Sequence, residues 1–137
     1  MSKEIYLVRH GAVPEGICNG RRLDVEPTEE GEMQTILNML ALNRLGVFTI
    51  ISSGMRRTTG AIQECTRILN MEHEVDERFI DFDAGDWTGK RWTDIAREDP
   101  EQYSNCMHDG RKLIVPGGES MEWFEARVMQ GWEDLLK

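Results

Sequence analysis

The sequence predicts an α/β protein with a mostly parallel sheet flanked by helices. Two short apolar runs carry that expectation. The first lies within Glu4 to Arg9 (Ile5 to Val8), the second spans Val47 to Ser52, and both have the length of buried parallel strands. Each is followed in turn by a segment whose apolar residues recur at helical spacing. Alternation of strand and helix favours a parallel sheet with crossover helices.

The elements follow in order. After the first strand, Gly11 to Pro27 is rich in glycine, proline and charge, and reads as a loop. Thr28 is a suitable N-cap for a helix whose Met33, Ile36, Leu37, Leu40 and Ala41 share a face, and Gly46 can end it. The second strand leads to a helix with Ala61, Ile62, Cys65, Ile68 and Leu69 as its apolar stripe. From His73 to Gly89 the acidic residues Asp76, Glu77, Asp81, Asp83 and Asp86 suit a loop better than a core element. Trp92 to Met107 can hold one or two short helices, broken near Pro100. Gly117 and Gly118 precede a last helix carrying Met121, Phe124, Val128, Trp132, Leu135 and Leu136 on one face.

Composition narrows the function. The 137 residues fit one domain, 1–137, with 39% apolar and 30% charged residues and no repeat. A net charge of −9 argues against nucleic acid or an anionic membrane surface as a partner. No apolar stretch approaches the ~18 residues that cross a bilayer. Three cysteines, Cys18, Cys65 and Cys106, have no paired spacing, which fits a reducing, cytoplasmic setting.

Against this acidic background, two groups of cations stand at predicted strand ends. Ligands of open α/β sheets bind beyond the carboxyl ends of the strands. The first group is Arg9-His10. A nucleophilic imidazole must be neutral, with one ring nitrogen holding a proton and the other free, and neighbouring cations favour that form. Arginine also grips phosphate oxygens with two parallel hydrogen bonds. The second group is Ser52-Ser53-Gly54-Met55-Arg56-Arg57, which places arginines at a helix start where free N–H groups favour an anion. Arg56 and Arg57 lie about 100° apart around a helix, so only one can face the site. Phosphoryl transfer to His10 would also need an acid and base for the leaving oxygen and for water. Asp81, Asp83 and Asp86 are the carboxylates placed to serve. Glu119, in Pro116-Gly117-Gly118-Glu119-Ser120, could orient an active-site arginine.

Taken together, these motifs resemble the histidine phosphatase superfamily, with its phosphoglycerate mutase-like fold. Leu-Val-Arg-His-Gly at 7–11, Asp24…Thr28-Glu29-Glu30-Gly31, Ser52-Ser53-x-Met-x-Arg57, Gly85-Asp86-Trp87-x-Gly89 and Gly118-Glu119-Ser120 fall in the family's order over nearly the whole chain. The resemblance implies a phosphomonoesterase without cofactor or metal, acting on a small phosphate monoester. His10 would become phosphohistidine, Arg9 and Arg57 would clamp the phosphoryl group, and Asp81 would stand where the family more often has glutamate. Glu119 would be a supporting residue. Gly16 to Val25 together with Pro116 to Ser120 is similar to α-ribazole phosphatases. Ala12, Val13 and Gly16 replace residues usual in the mutases. A truncated, inactive relative that binds phosphate ligands is the alternative reading, and a phosphoglycerate mutase is the third. The family also has a second histidine, in a Ser-His-Gly-like motif on a later strand. No such motif follows Ser120, so the C-terminal part of the fold is expected to be missing from this chain. Specificity would come from the loop at Pro14 to Pro27 and from Trp92 to Pro116.

Overall fold

The computed structural model describes residues 3–137. Its chain runs α1 (Glu29–Arg44), β1 (Thr49–Ser52), α2 (Arg56–Leu69), β2 (Glu72–Val75), α3 (Trp92–Glu98), α4 (Pro100–His108) and α5 (Met121–Leu136), with short 3-10 turns between β2 and α5. β1 and β2 pair in parallel, with Thr49 opposite Glu72 and Ser52 opposite Val75. The connection between them is α2, as a parallel pair requires. The fold class is therefore α/β with a small parallel sheet.

Helix boundaries follow the local chemistry. The Thr28 hydroxyl accepts from the Gly31 N–H at 3.1 Å and caps α1. At the other end Gly46, with φ of 79°, lets the Leu45, Gly46 and Val47 amides turn back onto the carbonyls of the last turn. Pro100 opens α4 at a position where its missing N–H costs nothing, and the Asp99 carboxylate caps the same helix. Ser120 caps α5 through the Trp123 amide.

Three expectations are corrected. The run within Glu4–Arg9 forms no strand and pairs with none among the described residues, and Leu7 is 84% exposed. Its apolar pattern supplies one side of a ladder and finds no second side. On α1 the buried apolar side chains are Met39 and Leu42, while Met33, Leu37 and Leu40 lie outward. Met39 and Leu42 win because they face Ile50 of β1 and Met71, with Val47, Ile62, Cys65 and Leu69 around them. Finally, the polar stretch from His73 begins inside a strand. β2 has no apolar alternation because three of its four side chains are exposed, so period-2 patterning could not report it.

A second apolar cluster sits under the loops. It joins Cys18, Ala84, Trp87, Ile95, Leu113 and Val115, with Trp92, Tyr103 and Cys106 packed against it. Trp87 and Trp92 meet edge to face with centroids 6.3 Å apart. Burial pushes the Cys18 thiol up to about 11, so this cysteine packs as a small apolar group. No helix among the described residues is long and apolar enough to cross a membrane.

Candidate active site

His10 is positioned by a backbone crossing that does not involve the sheet. A Cβ on Gly11 would lie 1.9 Å from the Gly31 carbonyl oxygen, and one on Gly31 would lie 2.0 Å from that of Ala12. Only two glycines allow this approach. The Ala12 carbonyl accepts from the Thr28 amide and hydroxyl, at 2.9 and 3.2 Å, while the Ala12 amide donates to Gln34. The turn after His10 is thus fastened to the first turn of α1. The His10 ring is half-buried, and its Nδ1 lies 2.7 Å from the Gly11 carbonyl. A carbonyl can only accept, so Nδ1 carries a proton, and in the neutral ring Nε2 is the nitrogen with the free lone pair.

Arg57 is the inward member of the arginine pair. It is buried on the first turn of α2, whereas Arg56 is exposed and pairs with Glu26. The Arg57 guanidinium donates from Nη2 to the Gly20 carbonyl at 3.0 Å and to Asp81 Oδ2 at 2.9 Å. Asp81 is half exposed at its carboxylate, and its Oδ1 accepts from the Phe82 amide. The start of α2 meets a carboxylate of the chain itself, since Asp24 Oδ1 accepts the Arg56 amide at 2.8 Å.

Glu119 pairs with an arginine that the sequence reading missed. Arg127 donates from Nη2 and Nε to Glu119 Oε1 and Oε2, at 2.6 and 3.1 Å, and its Nη1 and Nη2 also reach the carbonyls of Arg78, Ile80 and Asp81. It also stacks over Phe124, 4.9 Å from the ring centroid. Glu119 Oε1 accepts from the Asp83 amide as well. Burial opposes ionisation of Glu119, but Arg127, the Asp83 amide and Arg21 together outweigh it and hold the carboxyl below its usual range. The signal was available: Arg127 stands beside Phe124 and Val128 on the inward face of an amphipathic helix. Among the three acidic candidates, Asp83 is buried and engaged by Arg21 and Arg22, and Asp86 is exposed. The backbone beside them is tight: Gly85 has φ of 45°, and a Cβ there would meet the Gly118 amide at 2.2 Å.

The structure therefore brings Arg57 to Asp81, and Glu119 through Arg127 to the Asp81 backbone. Among the described residues no hydrogen bond joins Arg9 or His10 to either group, and Arg9 is exposed. His73 bonds to Ser52 and His108 to the Ser104 carbonyl, so neither stands as a partner of His10. No three His, Cys, Asp or Glu side chains gather as a metal-binding group among the described residues.

The chain is similar to known proteins over most of its length. Phosphoserine phosphatase 1 of Hydrogenobacter thermophilus is 29% identical over 137 residues, covering 98% of this chain and 64% of its own length. Mycobacterial glucosyl-3-phosphoglycerate phosphatase superposes with a TM-score of 0.80 at 25% identity, over 92% of this chain and 60% of the other. The latter enzyme has also been solved with inorganic phosphate. An Escherichia coli chain described as a candidate α-ribazole-5′-phosphate phosphatase shares the fold, with a TM-score of 0.69 at 23% identity, over 93% of this chain and 64% of that one. The chain thus spans less than two thirds of the length of these relatives. The family model for the histidine phosphatase superfamily (branch 1) matches residues 5–137, and the chain belongs to that superfamily.

Proposed function

We propose that the protein hydrolyses a phosphomonoester through a phosphohistidine at His10. The observation that supports this most is the His10 ring, whose Nδ1–H is tied to the Gly11 carbonyl and whose Nε2 is left as the nucleophile. Nε2 attacks phosphorus, and the ester oxygen leaves with a proton delivered by Asp81. Water, deprotonated by Asp81, then attacks the phosphohistidine and releases phosphate and the free ring. Arg9 and Arg57 balance the charge of the phosphoryl oxygens throughout, a task that needs no metal. The resemblance to the family would add a second histidine, in a Ser-His-Gly-like motif, to such a phosphate pocket. α-Ribazole phosphate is the substrate suggested by the Gly16 to Val25 loop and Pro116 to Ser120; the phosphoserine and glucosyl-3-phosphoglycerate phosphatases among the relatives set carboxylate-bearing substrates beside it.

Incubation with a radiolabelled phosphomonoester, followed by a denaturing quench, tests the reading. The expected label is acid-labile, base-stable and absent from His10→Ala. An acid-stable label, or one that survives in His10→Ala, overturns it. The contact between Asp81 and Arg57, with His73 and His108 held by other partners among the described residues, favours a second reading: a chain that binds phosphate ligands without turnover. That reading predicts stabilisation by inorganic phosphate with no label on the protein.

A further inference from the structure

We propose that Asn19 is a self-modification site: the Gly20 backbone nitrogen displaces its side-chain amide, and the product releases the Gly20 carbonyl from Arg57. The site stands whether or not the chain turns over a phosphomonoester. Asn19 alone among the asparagines is followed by glycine. Cyclisation brings the amide of the next residue onto the asparagine Cγ, and a Cβ on that residue crowds the approach; glycine has none. Asparagine is among the chemically labile residues of proteins. The other asparagines are held differently. Asn38 and Asn43 lie inside α1 and Asn105 inside α4, where the following amide is committed to the helix ladder. After Asn70, the Met71 amide donates to the Thr66 carbonyl at 2.9 Å. The Gly20 amide has no hydrogen-bond partner among the described residues, and Asn19 and Gly20 are both half-buried, within reach of water.

The step needs only water and base. The Gly20 nitrogen gives its proton to hydroxide and bonds to Asn19 Cγ. The Cγ–Nδ2 bond breaks, and ammonia leaves with a proton taken from water. Water then opens the five-membered succinimide. Attack at Cγ gives aspartate at position 19. Attack at the α-carbonyl gives isoaspartate, whose main chain runs through Cβ and Cγ and is one methylene longer. The Asn19 carbonyl, which accepts the Leu23 amide at 3.3 Å, then becomes a free carboxylate. The turn that must absorb the methylene is fastened on both sides. The Cys18 amide donates to the Lys90 carbonyl at 2.9 Å and the Cys18 carbonyl accepts the Gly89 amide at 2.8 Å, while the Arg21 amide donates to the Phe82 carbonyl at 3.0 Å. Between them Gly20, with φ of 55°, lies so close to Ala84 that a Cβ on it would stand 2.9 Å from the alanine methyl. From this turn the Gly20 carbonyl accepts Arg57 Nη2 at 3.0 Å. A methylene added between two fixed ends displaces that carbonyl. Arg57 is left with Asp81 at 2.9 Å and the Leu23 carbonyl at 3.4 Å.

Incubation of the folded chain in mildly alkaline buffer, followed by peptide mapping, tests the site, with a sample in urea as the unfolded reference. The Asn19 peptide is expected to gain about one dalton and to become a methyl acceptor for protein isoaspartate methyltransferase, while the peptides of Asn38, Asn43, Asn70 and Asn105 stay unchanged. Asn19→Gln, whose ring would have six members, should do neither. Loss of the Asn19 amide in urea but not in the folded chain, or earlier loss at another asparagine, overturns the proposal. The isoaspartyl form, separated by chromatography, tests the link to Arg57. Its Arg57 guanidinium protons should exchange with solvent roughly fivefold to tenfold faster by NMR, the loss of one hydrogen bond. Freshly prepared Asn19→Asp, which has the new charge without the methylene, should keep the unmodified rate. Equal exchange in the isoaspartyl form and the unmodified chain overturns the release of Arg57.

Discussion

Arg9 and Arg57 each end or follow an apolar run, yet they occupy opposite environments. Thr49–Ser52 has a neighbour in β2, and the arginine beyond it is buried and holds two carbonyls and a carboxylate. Ile5–Val8 has no neighbour among the described residues, and Arg9 is exposed. The contrast teaches that an apolar run announces only a strand's capacity to pair. Burial of the residue after it depends on whether a partner strand is there.

Substitution of the two arginines should separate them most sharply. Arg57→Met is expected to destabilise the chain by about 3 kcal/mol, since it strips hydrogen bonds from two carbonyls and Asp81. Arg9→Ala should stay within about 0.5 kcal/mol of the unmodified chain. Urea denaturation measures both, and equal losses would break the comparison. Gly31→Ala comes next. Its methyl would press on the Ala12 carbonyl, so a loss of about 2 kcal/mol is expected, with displacement of the His10 turn seen as altered ring shifts by NMR.

The acid limb of stability should trace to Asp83. Burial opposes its ionisation, but Arg22, the Gly85 amide and Arg21 outweigh burial and hold its carboxyl below the ordinary aspartate value of 3.8. Its contribution is thus complete above about pH 4 and is lost as pH falls through the lowered folded-state value. Asp83→Asn should flatten that part of the pH–stability curve. The smallest effect belongs to His73, whose ring lies 2.8 Å from the Ser52 hydroxyl across the two strands. Burial lowers its proton affinity in the folded chain, so stability should decline slightly as pH falls below about 6.5. His73→Gln should remove that slope in denaturation curves taken at pH 7.5 and 5.5.

Much of this site was legible in the sequence because its signals are local. Thr28, Gly46, Pro100 and Ser120 act within one helical turn, and helical geometry lets only one of Arg56 and Arg57 face inward, while the family resemblance picks Arg57. What escaped the sequence depends on distant partners. β2 is polar because it is exposed, and only its pairing with β1 makes it a strand. The outward turn of Met33 and Leu37 reflects where β1 and Met71 lie, which no window of α1 contains. Arg127 lies 46 residues from the Asp81 carbonyl it holds. Periodicity could place it on a face but could not say what that face would meet.

The unpaired segment at the start of the chain has a consequence for behaviour in solution. Ile5-Tyr6-Leu7-Val8 combines β-forming residues with open backbone donors and acceptors, the features that let one chain template another. Lys3, Glu4 and Arg9 flank it as charged gatekeepers. The residues that lead to His10 are therefore also an adhesive stretch, at which crowding should draw copies of the chain together.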